Sequence, residues 1–376
     1  MTQVVKNFCP FIFIRGLKKA DHTVFVVQNG QKTYYDNVFG RYLPYSSGQQ
    51  VKRSIINSFL AELNTSDAPT QFVFDEETKN NKKSLGEGEV ISICDPTYPD
   101  QLIGGWMRIV KGGEEKGLKR RSPLSISALK PLHPLLAGTS RENITFDRSD
   151  KPHLHKVVVR DSNGKPLSDE EVDTLLSGTD RSVYRKWIPD QSGSNARANG
   201  LFVYDLVIDL RTLFSVQLSN KEREINDETI VSLKAKGWKE SNNVFGKCLV
   251  CPESDTLNDE GKTVAWGRKT IIESLAKSIL NWRITTNQSR TLETQETLAI
   301  AISNNANKIT AAIRAKLMEE EDKAKPIIEE KIDGVETFVS LACAGYVATK
   351  NEEVDALDKA ELHLISLMMS FDYENQ

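Results

Sequence analysis

Residues 201–209 read LFVYDLVID, and nearly every position is apolar or β-prone. A run of that length and composition predicts a buried strand. Residues 297–302, TLAIAI, predict a final buried strand, and Phe11-Ile12-Phe13-Ile14 is a short apolar run near the other end. Two amphipathic helices lie between these strands. Ser46-Ser47-Gly48 opens the first, with Val51, Ile55, Ile56, Phe59, Leu60 and Leu63 at helical spacing and a serine to cap it. Asn64-Thr65-Ser66-Asp67 closes it. The second runs from Thr270 to Leu280 on Ile271, Ile272, Leu275, Ala276, Ile279 and Leu280. The order is strand, helix, insertion, strand, insertion, helix, strand. That is the βαββαβ order of an α+β, ferredoxin-like (RRM-like) domain with expanded connections. One strand between the helices is not visible in the pattern.

The connections read differently. Gln28-Asn29-Gly30-Gln31 is a hairpin turn signal between Thr23–Val27 and Thr33-Tyr34-Tyr35. From Asp75 to Gly200, polar clusters, paired glycines and prolines alternate with short strands such as Val90–Ile93 and Lys156–Val159, which predicts hairpins and loops. After Asn304 the reading is helical, over Ala306–Glu320, a broken segment Ile327–Ala348, and Val354–Met369.

With 376 residues, 39% apolar and 27% charged, the chain can bury a core and stay in solution. No run of eighteen uncharged apolar residues is present, which argues against a membrane span. The opening MTQVVKNFCPFIFIRG has no small-residue cleavage site and does not read as a signal peptide. Five scattered cysteines, Cys9, Cys94, Cys248, Cys251 and Cys343, fit free thiols in a reducing cytoplasm.

The net charge of −3 hides a division. Leu317–Gln376 holds fifteen acidic and five basic residues, a net −10, leaving +7 for residues 1–316. Arg108–Arg160 alone carries +7, with twelve basic and five acidic residues. A basic middle beside an acidic end suits a polyanion partner, or a chance asymmetry of exposed faces.

Three segments could contact that polyanion. In Gly40–Arg53, GRYLPYSSGQQVKR, tyrosines including Tyr45 precede a helix start at Ser47 and Gln49, with Lys52 and Arg53 in its first turns. Free N–H groups and cations there suit phosphate, and tyrosine faces suit base stacking; an ordinary capped helix is the alternative. Lys119-Arg120-Arg121, with Lys130 downstream, cannot all point one way on a regular element. They suit a loop along a phosphate backbone, or a solvated charge run. Trp282–Thr291, with Arg283, Ser289 and Arg290, suits phosphate and ribose contacts, or a hydrogen-bonded surface loop.

Other signals are weaker. Cys248-Leu249-Val250-Cys251 is a lone CxxC without a second pair. His153 and His155 on a strand would share a face near Asp147. No GxxxxGK[ST] or GxSxG occurs, so P-loop and serine-hydrolase chemistry have no foothold, and neither metal nor cofactor is expected.

The segment YLPYSSGQQVKRSIINSFL resembles the first helix, with its LPY-SGQ type loop, of CRISPR-associated backbone subunits of Cascade, the Cas-seven family in its DevR-like branch of the RAMP superfamily. KRRSPLSISALKPLHP at 119–134, YDLVIDLRTLFSV at 204–216 and the Ser289-Arg290 loop are similar to segments of the same family. The likeness covers Phe11–Leu63, Gln101–Pro134 and Leu201–Ile302. It implies a hand-shaped, non-catalytic subunit: a palm in residues 1–95 and 201–304, a finger-like basic insertion at 96–200, and a thumb-like one at about 211–262. Residues 305–376, read as an acidic helical extension, lie outside the likeness. It further implies copies stacked head to tail along a CRISPR guide RNA, beside other Cascade subunits, leaving base edges free for target DNA or RNA. Two rivals stand beside it. One is a type III-like subunit that cleaves target RNA with a loop aspartate such as Asp21 or Asp36. The other is a stand-alone RNA-binding or RNA-processing protein.

Overall fold

The computed structural model describes residues 9–25, 31–79, 82–108, 117–141, 144–178, 181–188, 196–219, 221–285, 293–319 and 323–376. The LFVYDLVID run forms the C-terminal part of strand β2, Ala196–Asp209, which pairs antiparallel along strand β1, Phe11–Thr23. On its other side β1 pairs antiparallel with β3, Thr297–Ser303, and β3 with β4, Val335–Ser340. A short parallel strand, Glu352–Glu353, closes that edge, so the sheet is mixed.

The opposite edge supplies the strand missing from the sequence pattern. It comes as three pieces, Leu124–Ile126, Lys130–Pro131 and Ala137–Arg141, each antiparallel to β2. Pro131 stands in register with Phe202. Proline cannot donate to a ladder, so a proline-interrupted strand is confined to a sheet edge, and its alternation is lost from the sequence.

Helices α1, Gly48–Glu62, and α2, Arg268–Asn281, cover one face of the sheet. Ile14 of β1, Phe59 of α1, Phe202 and Leu206 of β2, Leu275 of α2 and Ile302 of β3 belong to one buried cluster there. Each fully buried side chain of this size contributes about 1.5–3 kcal/mol. Helix α3, Ala356–Met369, extends the cluster with Leu364 and Met368. The strands alternate, so Leu17, Val203, Ala301 and Val339 enter a second cluster. Between β1 and β2, Tyr204 lies where a side chain at Gly16 would be: a Cβ there would fall 2.2 Å from the ring. The Tyr204 hydroxyl donates to the Ile279 carbonyl at 3.0 Å, and its ring meets Trp282 edge-on at 4.9 Å. Buried Lys18 donates to the Trp282 and Gln295 carbonyls, both at 3.0 Å, and to Thr297 Oγ1 at 2.9 Å. It thereby joins the end of α2 to the start of β3.

Several sequence expectations change. Phe11–Ile14 is the start of one 13-residue strand that ends at Thr23; Val24 and Phe25 follow it outside the ladder, and the rest of the expected strand, Val26 and Val27, lies outside the described residues. The Asn29-Gly30 turn lies outside the described residues. Thr33–Asp36 pairs with Arg41–Pro44 through a turn in which Gly40 has φ +61°. The helical reading of 305–376 is corrected: among the described residues only Ala306–Ala312 and α3 are α-helical, while Ile313–Met318 and Lys323–Ile328 form a hairpin and β4 joins the sheet. The spacing of Ile309, Ile313 and Leu317 fits a helix, but Ile313-Ala315-Leu317 also alternates, and pairing with 323–328 selects the strand. Lys156–Val159 joins no ladder. His153 occupies a 3-10 turn, Pro152–Leu154, and His155 packs on Tyr184 at 6.2 Å, so the two do not share a strand face.

Ser215–Gln217, Gly246–Val250 and Lys239–Asn243 form a three-stranded sheet, accompanied by a helix at Asp227–Ala235. Cys248 and Cys251 are buried there, and burial pushes both thiols up, which keeps them protonated. Among the described residues, no group of three or more His, Cys, Asp or Glu side chains could hold a metal, and no helix is long and apolar enough to cross a membrane.

Candidate nucleic-acid interface

The broken edge strand brings the first two basic segments together. Ser46 and Leu129 exchange backbone hydrogen bonds at 2.9 and 3.0 Å, setting the start of α1 against residues 124–130. Gly48 is needed there, because a Cβ would stand 2.8 Å from the Ile126 carbonyl oxygen. Ser47 caps the helix, its Oγ accepting from the Gln50 N–H at 3.4 Å. The Gly48 and Gln49 N–H groups then have no helical acceptor and carry the positive end of the helix dipole. A depression of about 500 Å³ is lined by Ser47, Gly48, Gln49, Lys52 and Ser125. Ser125 also lines a neighbouring groove of about 750 Å³ that includes Lys119, Arg121 and Arg211.

The cations of these segments divide into free and engaged. In strand Leu118–Arg120 the side chains alternate: Lys119 is exposed, Arg120 is only 3% exposed, and Arg121 beyond the strand is exposed again. Arg120 donates to the Leu102 carbonyl, to Thr212 O at 2.7 Å and to Ser215 O at 3.3 Å. Its guanidinium is 5.4 Å from the Trp106 ring centroid and 3.9 Å from Glu224. Burial pulls its pKa down to about 10 while Glu224 opposes the shift, so it remains a cation at neutral pH. Arg120 therefore joins three segments of the fold and does not face the groove as a free charge. Arg53 is also engaged, in a two-pronged pair with Asp67 at 2.7 and 2.5 Å.

Lys119, Arg121 and Lys130 are exposed, and among the described residues none forms an ion pair or side-chain hydrogen bond. Arg41, not singled out from the sequence, is equally unpaired and lies beside the edge strand, 3.6 Å from where a Cβ on Gly138 would be. Arg211 is neutralised by Asp209 at 2.9 and 2.8 Å and held between the rings of Phe11 and Phe245. Tyr45 is half-buried, with Tyr34 edge-on at 5.8 Å, which occupies part of its stacking surface. Arg283 is exposed at the Lys18 end of the sheet and lines neither depression; Ser289 and Arg290 lie outside the described residues.

Lys52 is intermediate. Its ammonium donates to the Gly104 carbonyl at 3.0 Å, leaving two N–H donors toward the depression. Burial, with Arg120 nearby, pushes its pKa down to about 8. A bound phosphate favours the charged form, so its contribution to anion affinity is complete below pH 8 and lost as pH rises through that value. Affinity for single-stranded RNA is expected to fall between pH 7 and 9, by no more than about tenfold per unit for one proton. The change should vanish in Lys52→Arg, which keeps its charge; fluorescence anisotropy at constant ionic strength measures both.

No known family profile matches the chain, and no curated protein matches it in sequence. It is similar to a solved chain described as "CRISPR RNA-guided surveillance complex, pre-nicking", at 8% identity and TM-score 0.40, covering 95% of this chain and 89% of that one. It is also similar to a chain described as "CRISPR RNA-guided surveillance complex", at 10% identity and TM-score 0.37, covering 94% of this chain and 99% of that one.

Proposed function

We propose that this chain is a guide-RNA-binding backbone subunit of a Cascade-type CRISPR assembly, holding single-stranded RNA by its phosphates along the broken edge of the sheet. One observation carries the RNA-binding reading: along the broken edge, Lys52 lines the depression at the unsatisfied N-terminus of α1, Lys119 and Arg121 line the groove that shares Ser125 with it, and Lys130 is exposed on the same edge. Cations with helix N–H groups recognise phosphate without reading bases. The sequence likeness at 42–60, 119–134 and 204–216 supports the narrower assignment to the Cas-seven family. The strand order edge pieces, β2, β1, β3, with α1 and α2 on one face, supports a ferredoxin-like palm. In this reading residues 96–200 are the finger-like insertion and about 211–262 the thumb-like one. Copies stack along the guide with other Cascade subunits in the cytoplasm, and target DNA or RNA pairs with the guide.

The reading is one of binding without catalysis. Asp36 Oδ1 accepts from the Val38 and Phe39 N–H groups at 3.1 and 2.8 Å, which makes it a turn cap, and Asp21 pairs with Lys19 at 3.3 Å. Titration of the purified chain with single-stranded RNAs of one length and unrelated sequence tests it. Affinities within a few-fold of each other are expected, with log K falling against log salt at a slope of about −2 to −4, near 0.7 per phosphate. No binding, or affinities that differ widely between sequences, would overturn it.

A further inference from the structure

The hairpin Thr33–Asp36/Arg41–Pro44 carries an aromatic pair that the fold does not use. Its register sets Tyr34 opposite Leu43 and Tyr35 opposite Tyr42. Alternation sends the first pair inward, where Leu43 is fully buried and Tyr34 meets Tyr45. The second pair faces solvent: Tyr35 is 50% and Tyr42 67% exposed, with ring centroids 5.1 Å apart and planes inclined at 59°. Among the described residues, neither hydroxyl has a hydrogen-bond partner. The pair is held in place from beneath, because Asp36 caps the turn and Gly40 takes the left-handed conformation the turn requires.

A cross-strand aromatic pair stabilises a hairpin whether or not it binds anything. Its surroundings go further. Arg41 follows the turn, Lys32 precedes the first strand, and Lys130 lies on the adjoining edge strand; all three are exposed, and none is paired among the described residues. The one carboxylate of the hairpin, Asp36, is directed to its own turn. Alternation places Arg41 on the hairpin face turned to the edge strand, where its guanidinium lies beside Gly138, so the rings look out from one face and free cations line the other side towards the edge. Rings and cations on one narrow hairpin match a polyanion whose charges alternate with flat apolar groups, which is the chemistry of a single-stranded nucleic acid. A protein surface would need carboxylates opposite the cations and an apolar patch over the rings. A single strand offers phosphates and bases at nucleotide spacing without further specification.

We propose that Tyr35 and Tyr42 form a stacking platform for a base of the bound single-stranded RNA, whose backbone passes over the hairpin to the cations on its edge-strand side, Arg41 and Lys130. This rests on the RNA-binding reading above and extends the phosphate groove past Lys130 onto the hairpin. Every base has a face to stack, so the platform is compatible with binding that ignores sequence.

The test compares the full chain with Tyr35→Ala/Tyr42→Ala and Tyr35→Phe/Tyr42→Phe, using a labelled single-stranded RNA over a range of salt. The alanine variant is expected to lose about tenfold in affinity with an unchanged salt slope, because stacking releases no counterions. The phenylalanine variant should bind as the parent does. With 5-iodouridine in the RNA, ultraviolet cross-links should map to Tyr35 or Tyr42. If the parent binds and the alanine variant binds equally well, the platform is wrong and the phosphate groove stands. If affinity falls together with the salt slope, the tyrosines act through the phosphate contacts, and stacking is likewise rejected. A parent chain that binds no RNA rejects the underlying function.

Discussion

Reversing two neighbouring charges, Lys119→Glu with Arg121→Glu, is expected to lower the affinity for single-stranded RNA by about 100-fold near physiological salt. Each lost phosphate contact removes about 0.7 from the salt slope, and the added carboxylates repel the backbone that the lysine and arginine attract. Both side chains are exposed and unpaired among the described residues, so the melting temperature should stay close to that of the parent. Anisotropy titration beside a thermal melt reads the two effects separately. A folded double variant that binds within threefold of the parent would remove this strand from the interface.

The residue between them should behave in the opposite way. Arg120→Met is expected to destabilise the chain by about 3–5 kcal/mol, the range for removing one partner of a buried ion pair. Three carbonyls, of Leu102, Thr212 and Ser215, lose their donor, and half-buried Glu224 loses the guanidinium 3.9 Å away. Methionine can fill part of the space beside Trp106, so the loss is chiefly one of hydrogen bonds and charge and not of volume. Denaturant unfolding measures it. A change below 1 kcal/mol would mean that Arg120 does not hold these segments together. RNA affinity, measured where the variant is still folded, should change far less than in the Lys119/Arg121 variant.

That contrast within three consecutive basic residues marks the limit of what composition reveals. The run could be recognised as too crowded to point one way, but its alternation depends on the pairing of Leu118–Arg120 with Trp106–Arg108. The same holds for the first helix. Its apolar face, serine cap and basic first turns are local features and were readable, as was its nearness to a phosphate-type loop. That Arg53 is occupied by Asp67 and Lys52 partly by Gly104 depends on chain segments brought back by folding. Arg41 and Tyr35 escaped notice as site residues because an exposed strand position has no sequence mark of its own.

Local pattern marked β2, β3 and the start of β1 as strands, by apolar runs, and α1 and α2 as helices that pack by one face, by spacing, because burial of a run or a face constrains residues that are neighbours in sequence. It could not find the edge strand, whose prolines interrupt the repeat, nor choose hairpin over helix at 313–328, where both repeats fit. Tertiary structure alone decided which cations are free. A guanidinium or ammonium has the same charge in every sequence, and only the carbonyls and carboxylates that folding places against it decide whether any of that charge is left for a ligand.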